Sequence, residues 1–315
     1  MAEAPFRMSL PPPSFHPPLI RNRGIILKKT GARQLREILA TKKFVAAPGA
    51  YDALTAMLVE RIGFDAVYLT GAGVSASWGL PDYGLLSLSE VTLTLERMTR
   101  TVDIPVIADA DTGYGNELNV VRTVQEFEAR GVAAFHIEDQ AFPKKCGHLD
   151  GKQVIPTREY ASKIAAAVYA RENPDTIIIA RSDARAVLGF EAAIERVNAA
   201  LDAGADIGFV EAPESMREVE DIPRLVKGPC MINLVRGGKT PQVSLDVIRD
   251  LGYSIAICPG MALMTIINAY EDALTQLLDS RLIPPPMKDI SIPQVLERVK
   301  SLKWDKYRAD TEMKS

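Results

Sequence analysis

The segment TIIIARSDA, Thr176–Ala184, joins a continuous apolar run to charged residues at its end. Apolar runs without polar alternation are typical of parallel strands that are buried on both faces. Runs of this type recur along the chain, which predicts eight strands. The predicted strands are Phe44–Ala47, Ala66–Thr70, Pro105–Ala108, Ala133–Ile137, Thr176–Arg181, Ile207–Glu211, Cys230–Asn233 and Ile255–Cys258.

Amphipathic stretches separate these runs and predict a helix after each strand. The predicted helices are Tyr51–Ile62, Leu88–Thr101, Glu117–Arg130, Thr157–Arg171, Phe190–Ala203, Met216–Val226, Ser244–Leu251 and Met261–Leu278. Four glycines stand where helix C-caps belong, namely Gly63, Gly131, Gly204 and Gly252. Eight β–α units predict an α/β fold of the TIM type, a (β/α)8 barrel. A doubly wound open sheet is the alternative, although eight strands are many for it.

The chain divides into three parts. Residues 1–30 are rich in proline and predict an extended N-terminal arm. Residues 31–283 form the predicted catalytic barrel, and residues 284–315, after the break at Pro284–Pro286, form a helical tail. Apolar tail residues have no place in an eight-unit barrel, so we expect a homo-oligomer with the tail in its interface; they are Ile290, Ile292, Val295, Leu296 and Trp304.

Composition excludes several function classes. The chain has 315 residues, a net charge of −3 and 6% aromatic residues, so no basic patch or stacking surface for nucleic acid is expected. The longest apolar run, Ile255–Ala269, contains Pro259 and is too short to span a membrane. The N-terminus does not read as a secretory signal. No CxxC pair exists among Cys146, Cys230 and Cys258, which fits a reducing, cytoplasmic location.

Acidic and amide side chains collect at the predicted strand ends, where barrels of this type carry their chemistry. Clustered carboxylates need a counter-charge, and Mg²⁺, or Mn²⁺ in its place, prefers carboxylate oxygens and water. Asp109 and Asp111 stand at alternate positions and, with Glu138, predict the metal site, whereas helix N-capping is the alternative for any single aspartate. The remaining polar residues at these ends are Asp82, Asp139, Arg181, Asp183, Glu211 and Asn233.

Two further motifs lie in predicted loops. TGAG, Thr70–Gly73, offers backbone N–H groups that could hold a carboxylate or a phosphate. The alternative is that these residues form a simple tight turn with no bound group. KKCGHLDG, Lys144–Gly151, places Cys146 beside two lysines. A buried, inert thiol is the alternative to a reactive one.

Together these motifs resemble the isocitrate lyase/phosphoenolpyruvate mutase superfamily over about Arg33–Leu278. DADTGYGN, HIEDQ, PKKCGHLDGK, IARSDA and FVEA occur in the family order. The KKCGH loop is similar to that of the lyase branch, which holds isocitrate, 2-methylisocitrate and 2,3-dimethylmalate lyases, petal-death proteins and oxaloacetate hydrolases. Carboxyphosphonoenolpyruvate mutases resemble the chain too, in a CGHL loop and in GGKTP, Gly237–Pro241.

The resemblance implies a role for each matched residue. Asp109, Asp111 and Glu138 would hold Mg²⁺, with Asp82 acting largely through metal-bound water, and Cys146 would be the general acid/base. The other implied catalytic residues are Lys144, His148, Arg181 and Glu211. The implied substrate-binding residues are Tyr68, Thr70, Gly71, Ala72, Gly73, Asp82, Gly147, Arg181 and Asn233. The family also implies a homotetramer, a dimer of dimers that exchange their eighth helix.

The resemblance implies a Mg²⁺-dependent carbon–carbon lyase that cleaves a 2-hydroxy di- or tricarboxylate to an α-keto acid and a carboxylate. A phosphonomutase and an oxaloacetate hydrolase or decarboxylase are the alternatives. The adjacent lysines predict a pKa for Cys146 lowered toward neutrality, which suits proton transfer. The lysine-rich loop, residues 141–152, is expected to close over a carboxylate-rich substrate. Arg236 departs from close relatives, in which a glutamate is common, and this leaves the second carboxylate's recognition open.

Overall fold

Eight parallel strands form a closed barrel in the structure, a computed structural model that describes residues 30–41, 44–286 and 288–312. Each strand pairs with the next along the chain, and β1 pairs with β8 to complete the ring. The strands are β1 Val45–Ala50, β2 Val67–Leu69, β3 Val106–Asp109, β4 Ala134–Glu138, β5 Ile177–Ser182, β6 Ile207–Val210, β7 Cys230–Asn233 and β8 Ile255–Cys258. The predicted TIM-type barrel is therefore confirmed, and the open sheet is wrong.

The helices lie between the strands and around them. They are α1 Gly31–Ala40, α2 Ala53–Ile62, α3 Gly71–Ser77, α4 Leu88–Thr101, α5 Glu117–Ala129, α6 Thr157–Ala170, α7 Arg185–Leu188, α8 Phe190–Asp202, α9 Met216–Leu225, α10 Leu245–Asp250, α11 Met261–Ser280, α12 Ile292–Arg298 and α13 Ser301–Thr311. Each predicted helix has a counterpart whose ends differ by two residues at most, whereas α1, α3 and α7 lie outside the predicted set.

The TGAG motif begins a helix rather than a tight turn. Thr70 is the N-cap of α3, and its hydroxyl accepts the N–H of Gly73 at 3.4 Å. Its glycines favoured a turn in the sequence, because glycine is a poor helix former. The helix nevertheless forms, because the side-chain cap satisfies one of its first N–H groups.

Helix α1 closes the N-terminal end of the barrel. Leu35 is fully buried and packs in one cluster with the first residues of several strands, among them Val45, Ile177 and Ile255. Side chains that point inward, such as Ile179 and Phe209, fill the interior above it. Because the bottom and the middle are packed with apolar side chains, a site can open only at the C-terminal ends of the strands.

The last three helices lie largely outside the packed core. Helix α11 has 20 residues and none of them is buried, with Tyr270 64% and Leu278 63% exposed. The tail rests on α2 through the ion pairs Arg61–Glu297, at 3.4 Å, and Lys300–Glu60, at 2.8 Å. Among the described residues no helix is both long and apolar enough to cross a membrane. Apart from Thr30, the predicted N-terminal arm lies outside the described residues.

Candidate active site

Two aspartates form the turn after β3. The Oδ1 atom of Asp109 accepts the N–H of Asp111 at 2.9 Å, and Asp111 adopts a left-handed backbone with φ of 47°. The carboxylate of Asp109 also lies against the backbone of Gly71, where an added Cβ would stand 2.7 Å from Oδ2. Glycine at position 71 is therefore required for the first turn of α3 to approach this carboxylate. Asp109 and Asp111 are therefore neighbours at the turn that follows β3.

Lys144 brings a positive charge into this group of acids. Its side chain is buried, and its Nζ pairs with Asp82 and, at 2.8 Å, with Oδ1 of Asp111. Burial alone would lower the pKa of Lys144, but Asp111 and Glu138 raise it well above its usual value. The lysine is therefore a permanent cation inside the carboxylate cluster, defined as Asp82, Asp109, Asp111 and Glu138.

The acids of the carboxylate cluster differ in protonation. Burial acts to raise the pKa of Asp109, but the charge of His136 in its protonated form, the positive charges of Lys144 and Arg181 and the N–H of Asp111 bring it down to about 2. Burial raises the pKa of Asp111 to about 6. The negative charges of Asp109 and Asp82 act in the same direction, whereas Lys144 acts to lower it. Burial raises the pKa of Glu138 well above its usual value, with Arg181 opposing. Asp109 is thus the firmly ionised member at neutral pH.

Arg181 is the second buried cation. Its guanidinium donates to both oxygens of Asp183, at 2.9 and 3.2 Å. It also pairs with Glu138 at 3.2 Å and with Glu211 at 3.7 Å, and it stands 5.5 Å from the ring centre of Phe209. Arg181 therefore ties the ends of β4, β5 and β6 together by charge.

His136 has a structural role beneath the site. It is fully buried, and its Nε2 lies 2.7 Å from the hydroxyl of Tyr68, which is 3.4 Å from Oδ2 of Asp109. Burial lowers the pKa of His136 to about 4, so the ring is neutral at pH 7. The neutral ring and the Tyr68 hydroxyl therefore share a hydrogen bond that holds Tyr68 beside Asp109.

The Cys146 loop, residues 141–152, lies over the mouth of the barrel. At its base the side chain of Gln140 donates to the Lys145 carbonyl at 2.7 Å and accepts the Lys145 N–H at 2.9 Å. Gly147 sits directly on Glu211 and Arg181, with no room for a side chain. Lys152 is buried and donates to the Gly147 carbonyl and, at 2.9 Å, to Asp183. The loop is therefore closed, and Lys144 and Lys152 bind protein groups instead of offering free charge to a substrate.

A second loop, residues 234–243 between β7 and α10, packs against the first through His148. The N–H of Lys239 donates to Nδ1 of His148 at 3.1 Å, which leaves the proton of the neutral ring on Nε2. That nitrogen lies 3.6 Å from Glu211 and 3.3 Å from the amide of Asn233. The Asn233 amide also donates to Glu211 at 3.0 Å. His148 thus connects the two loops to the strand ends.

These groups enclose a cavity of about 240 Å³. Eleven of the sequence-predicted site residues line it, namely Tyr68, Thr70, Ala72, Asp82, Asp109, Cys146, Gly147, His148, Arg181, Glu211 and Asn233. The other predicted site residues are not part of this lining; they are Gly71, Gly73, Asp111, Glu138 and Lys144. Sequence reasoning missed the wall formed by Pro259, Gly260, Leu263 and Met264. The position of Pro259-Gly260 after the last strand was the signal that could have found it.

The thiol of Cys146 differs from expectation. Burial, together with the negative charge of Asp82, raises its pKa to about 11. The predicted lowering by adjacent lysines is wrong, because Lys144 is paired with Asp82 and Asp111 and its residual effect is too small. Cys146 therefore carries its proton at neutral pH, which suits a general acid and not a nucleophile. Cys230 is buried in the core, whereas Cys258 is half-buried.

The carboxylate cluster has the donor chemistry that a hard divalent cation requires. Oε1 of Glu138 is buried without a hydrogen-bond partner in the described structure, whereas Oε2 of Glu138 and Oδ1 of Asp111 are buried with an ion-pair contact to Arg181 at 3.2 Å and to Lys144 at 2.8 Å. Buried carboxylate oxygens of this kind suit Mg²⁺, which keeps several waters and uses few protein ligands. In the described ranges no three His, Cys, Asp or Glu side chains are grouped closely enough to ligate one ion. Water and substrate would therefore supply most of the ligands.

Two backbone positions beside the cluster are strained. Tyr114, with φ of 60°, follows β3, and Ala212, with φ of 55°, directly follows Glu211. Left-handed conformations are unfavourable for residues with a Cβ, at a cost of about 1–3 kcal/mol each. The hydroxyl of Tyr114 is also buried without a hydrogen-bond partner in the part of the chain described.

Comparison with known proteins agrees with this geometry. The family model described as phosphoenolpyruvate phosphomutase matches residues 35–278. The chain is 47% identical over 247 residues to 2,3-dimethylmalate lyase of Eubacterium barkeri, covering 78% of this chain and 86% of that one. It is 46% identical over 245 residues to 2-methylisocitrate lyase of Aeropyrum pernix, covering 78% and 79%. A solved structure of oxaloacetate acetylhydrolase with 3,3-difluorooxalacetate superposes with a TM-score of 0.87 at 33% identity, covering 91% and 98%.

The barrel and its rim of acids thus define an enzyme of the α/β-barrel class with its site at the strand ends. The chain belongs to the phosphoenolpyruvate phosphomutase family, within the wider isocitrate lyase superfamily. Its similarity to named lyases supports a carbon–carbon lyase, and members of the family use a divalent metal.

Replacing Lys144 tests the charge balance of the cluster. Lys144→Met should lower the free energy of unfolding by on the order of 3 kcal/mol at pH 7.5, because buried acids lose their counter-charge. The pKa of Asp111, already raised to about 6, would rise further, so its ionisation opposes folding mainly above that pH. The loss should therefore shrink as the pH falls toward 5. Urea denaturation at both pH values measures it.

Lys145→Met is the matched control, because Lys145 is the exposed neighbour of Lys144. The control should stay within about 0.5 kcal/mol of the unmodified protein. Equal stability of the two variants at pH 7.5 would contradict the role given to Lys144.

Proposed function

We propose that the chain cleaves the C2–C3 bond of a 2-hydroxy di- or tricarboxylate, releasing an α-keto acid and a carboxylate. One observation carries the proposal: a protonated thiol, Cys146, and an acid with metal-binding chemistry, Asp109, face the same enclosed cavity. The names of the lyase relatives support substrates of the 2-methylisocitrate and 2,3-dimethylmalate type.

The cavity provides separate places for the parts of such a substrate. The α-carboxylate and the C2 oxygen would lie at Tyr68 and at Thr70 to Gly73, the N-terminus of α3. The other end would meet Arg181, Asn233 and the backbone of Gly147. Asn233 would contribute through its amide nitrogen, which lies 3.0 Å from Glu211 and 3.3 Å from His148 at the edge of the cavity.

The metal, Mg²⁺ or Mn²⁺, would be held by Asp109 and Asp111, with Asp82 and Glu138 contributing through metal-bound water. When bound, it would stabilise negative charge on the C2 oxygen and acidify the hydroxyl. Lys144 pairs with Asp82 and with Oδ1 of Asp111, and so neutralises these acids in this structure.

Bond cleavage requires two proton movements. The C2 hydroxyl loses its proton to a carboxylate of the cluster, and the C2–C3 electron pair passes to C3 as the C2 carbonyl forms. The thiol of Cys146 then gives its proton to C3, which completes the released carboxylate. A pKa of about 11 keeps that proton in place until a strongly basic carbanion appears. The closed loop keeps water from protonating C3 first.

Lys144 and His148 assist this step as positioning residues. Lys144 fixes the loop to Asp82 and Asp111, and His148 fixes it to the second loop. Glu211 lies between Arg181 and Asn233 and would set the charge beside the departing carboxylate. Because Cys146 acts only as a free thiol, we place the enzyme in a reducing compartment such as the cytoplasm.

A substrate panel tests the reaction class. Keto-acid release should be seen with 2-methylisocitrate or 2,3-dimethylmalate, should stop with EDTA and should return with added Mg²⁺ or Mn²⁺. Coupled reduction of the keto acid measures it, and Asp111→Asn is the metal-site control. Activity only on oxaloacetate would favour hydrolysis, and activity only on carboxyphosphonoenolpyruvate would favour a phosphonomutase. Full activity in EDTA would reject the metal.

Replacing the thiol tests its role. Cys146→Ser should lower kcat by about 10²- to 10⁴-fold, because a hydroxyl is a much weaker acid. Substrate binding measured by calorimetry should persist, since the metal and residues 70–73 hold the α-carboxylate. In D₂O the unmodified enzyme should place deuterium at the former C3, detected by NMR. Cys258→Ser, outside the cavity, is the control and should keep its activity; full activity in Cys146→Ser would remove the thiol from the mechanism.

We also propose a homotetramer built from dimers that exchange α11. Support comes from α11 itself, whose apolar residues lie uncovered, including Met261, Ile267 and Leu278. A second copy would cover them, because helices with such a face are normally packed. Light scattering at micromolar concentration should give about four times the 34.4 kDa chain mass. A monomer mass would contradict the exchange.

A further inference from the structure

Arg236 is a cation without a partner on the wall of the reaction cavity. It lies in the loop between β7 and α10, and its side chain is exposed. Within the described ranges it makes no ion pair or hydrogen bond. The other cations near the cavity are already engaged: Arg181 with three acids, Lys144 with two, and Lys152 with Asp183.

The backbone that carries Arg236 is held in place. Gly238 donates its N–H to the Val235 carbonyl at 3.0 Å, and Gln242 donates to the same carbonyl at 3.1 Å. Lys239 joins the loop to Asp150 at 2.7 Å, and its N–H reaches His148. The backbone is therefore held at Val235 before Arg236 and at Gly238 and Lys239 after it, and Arg236 lines the cavity between them.

The cavity that Arg236 lines also has apolar residues in its wall. They are Val235, Pro259, Leu263 and Met264, which offer no charge to an anion. Of the acids that line the cavity, Asp82 pairs with Lys144 and Glu211 with Arg181. An unpaired guanidinium beside an apolar wall suits an anionic group on a substrate whose alkyl carbons pack against that wall.

We propose that Arg236 binds a third carboxylate, remote from the bond that breaks, and so selects tricarboxylates over dicarboxylates. The inference rests on the proposed function, in which the first two carboxylates lie at residues 70–73 and at Arg181. A dicarboxylate would leave the guanidinium facing the apolar wall without an anion. A 2-methylisocitrate-like substrate fills all three positions, whereas a 2,3-dimethylmalate-like substrate fills two.

Kinetics on this pair of substrates test the selection. The unmodified enzyme should prefer 2-methylisocitrate over 2,3-dimethylmalate. Arg236→Gln should lower kcat/KM for the tricarboxylate by about 10- to 100-fold, mainly through KM, because one charged hydrogen-bonded contact is lost. Its kcat/KM for the dicarboxylate should change by less than about threefold. Arg236→Glu should lower the tricarboxylate value further and leave the dicarboxylate the better substrate.

Arg122→Gln is the matched control, since Arg122 is exposed on α5 far along the chain from the cavity residues. It should leave both substrates unaffected. A preference of the unmodified enzyme for the dicarboxylate, or an equal loss on both substrates in Arg236→Gln, would overturn the inference while leaving the lyase reaction intact.

Binding of unreactive analogues separates this inference from the proposed reaction. Calorimetry with Mg²⁺ present should show tricarballylate, with three carboxylates, binding about 10- to 100-fold more weakly to Arg236→Gln than to the unmodified protein. Succinate, which keeps two vicinal carboxylates and lacks the third, remote one, should bind both equally. If no substrate is cleaved but this difference is found, the reaction class is wrong and the arginine assignment stands. If tricarballylate binds both proteins equally, the assignment is wrong whatever the reaction.

Discussion

Mutual repulsion of buried carboxylates is the constraint around which this barrel is organised. Closing eight parallel strands brings their ends together, and here those ends carry Asp109, Glu138 and Glu211. Like charges a few ångströms apart in a poorly solvated site cannot all ionise unless cations accompany them. Lys144 and Arg181 are those cations, and each contacts more than one acid.

The two cations belong to different parts of the fold. Arg181 comes from a strand and is fixed by the sheet, whereas Lys144 comes from the same loop as Cys146. The attraction that neutralises the acids therefore also positions the thiol. Because Lys144 is paired with Asp82 and Asp111, it does not lower the pKa of the Cys146 thiol enough to form a thiolate. The loop delivers a protonated acid, which is what a carbanion requires.

Much of this arrangement could be predicted from the sequence, for a physical reason. Buried parallel strands need continuous apolar runs, and TIIIARSDA shows both the run and the polar residues at its end. The barrel then places Asp109, Glu138 and Arg181 together without further information. The pKa of Cys146 could not be predicted, because it depends on where the lysine ammonium goes and not on its distance along the chain. The start of α3 was missed because its glycines suggest a turn until the Thr70 cap is seen.

The left-handed residues beside the acids have a consequence for how the protein tolerates change. Three residues have left-handed backbone conformations, which cost less free energy for glycine than for a residue with a Cβ; they are Asp111, Tyr114 and Ala212. Each aims an adjacent carboxylate or turn into the site, so the barrel gives up some thermal stability in order to keep its functional geometry. Selection for heat resistance alone would favour relaxing these positions, and selection for turnover would oppose it. The rim of this barrel is therefore where stability and activity compete most directly.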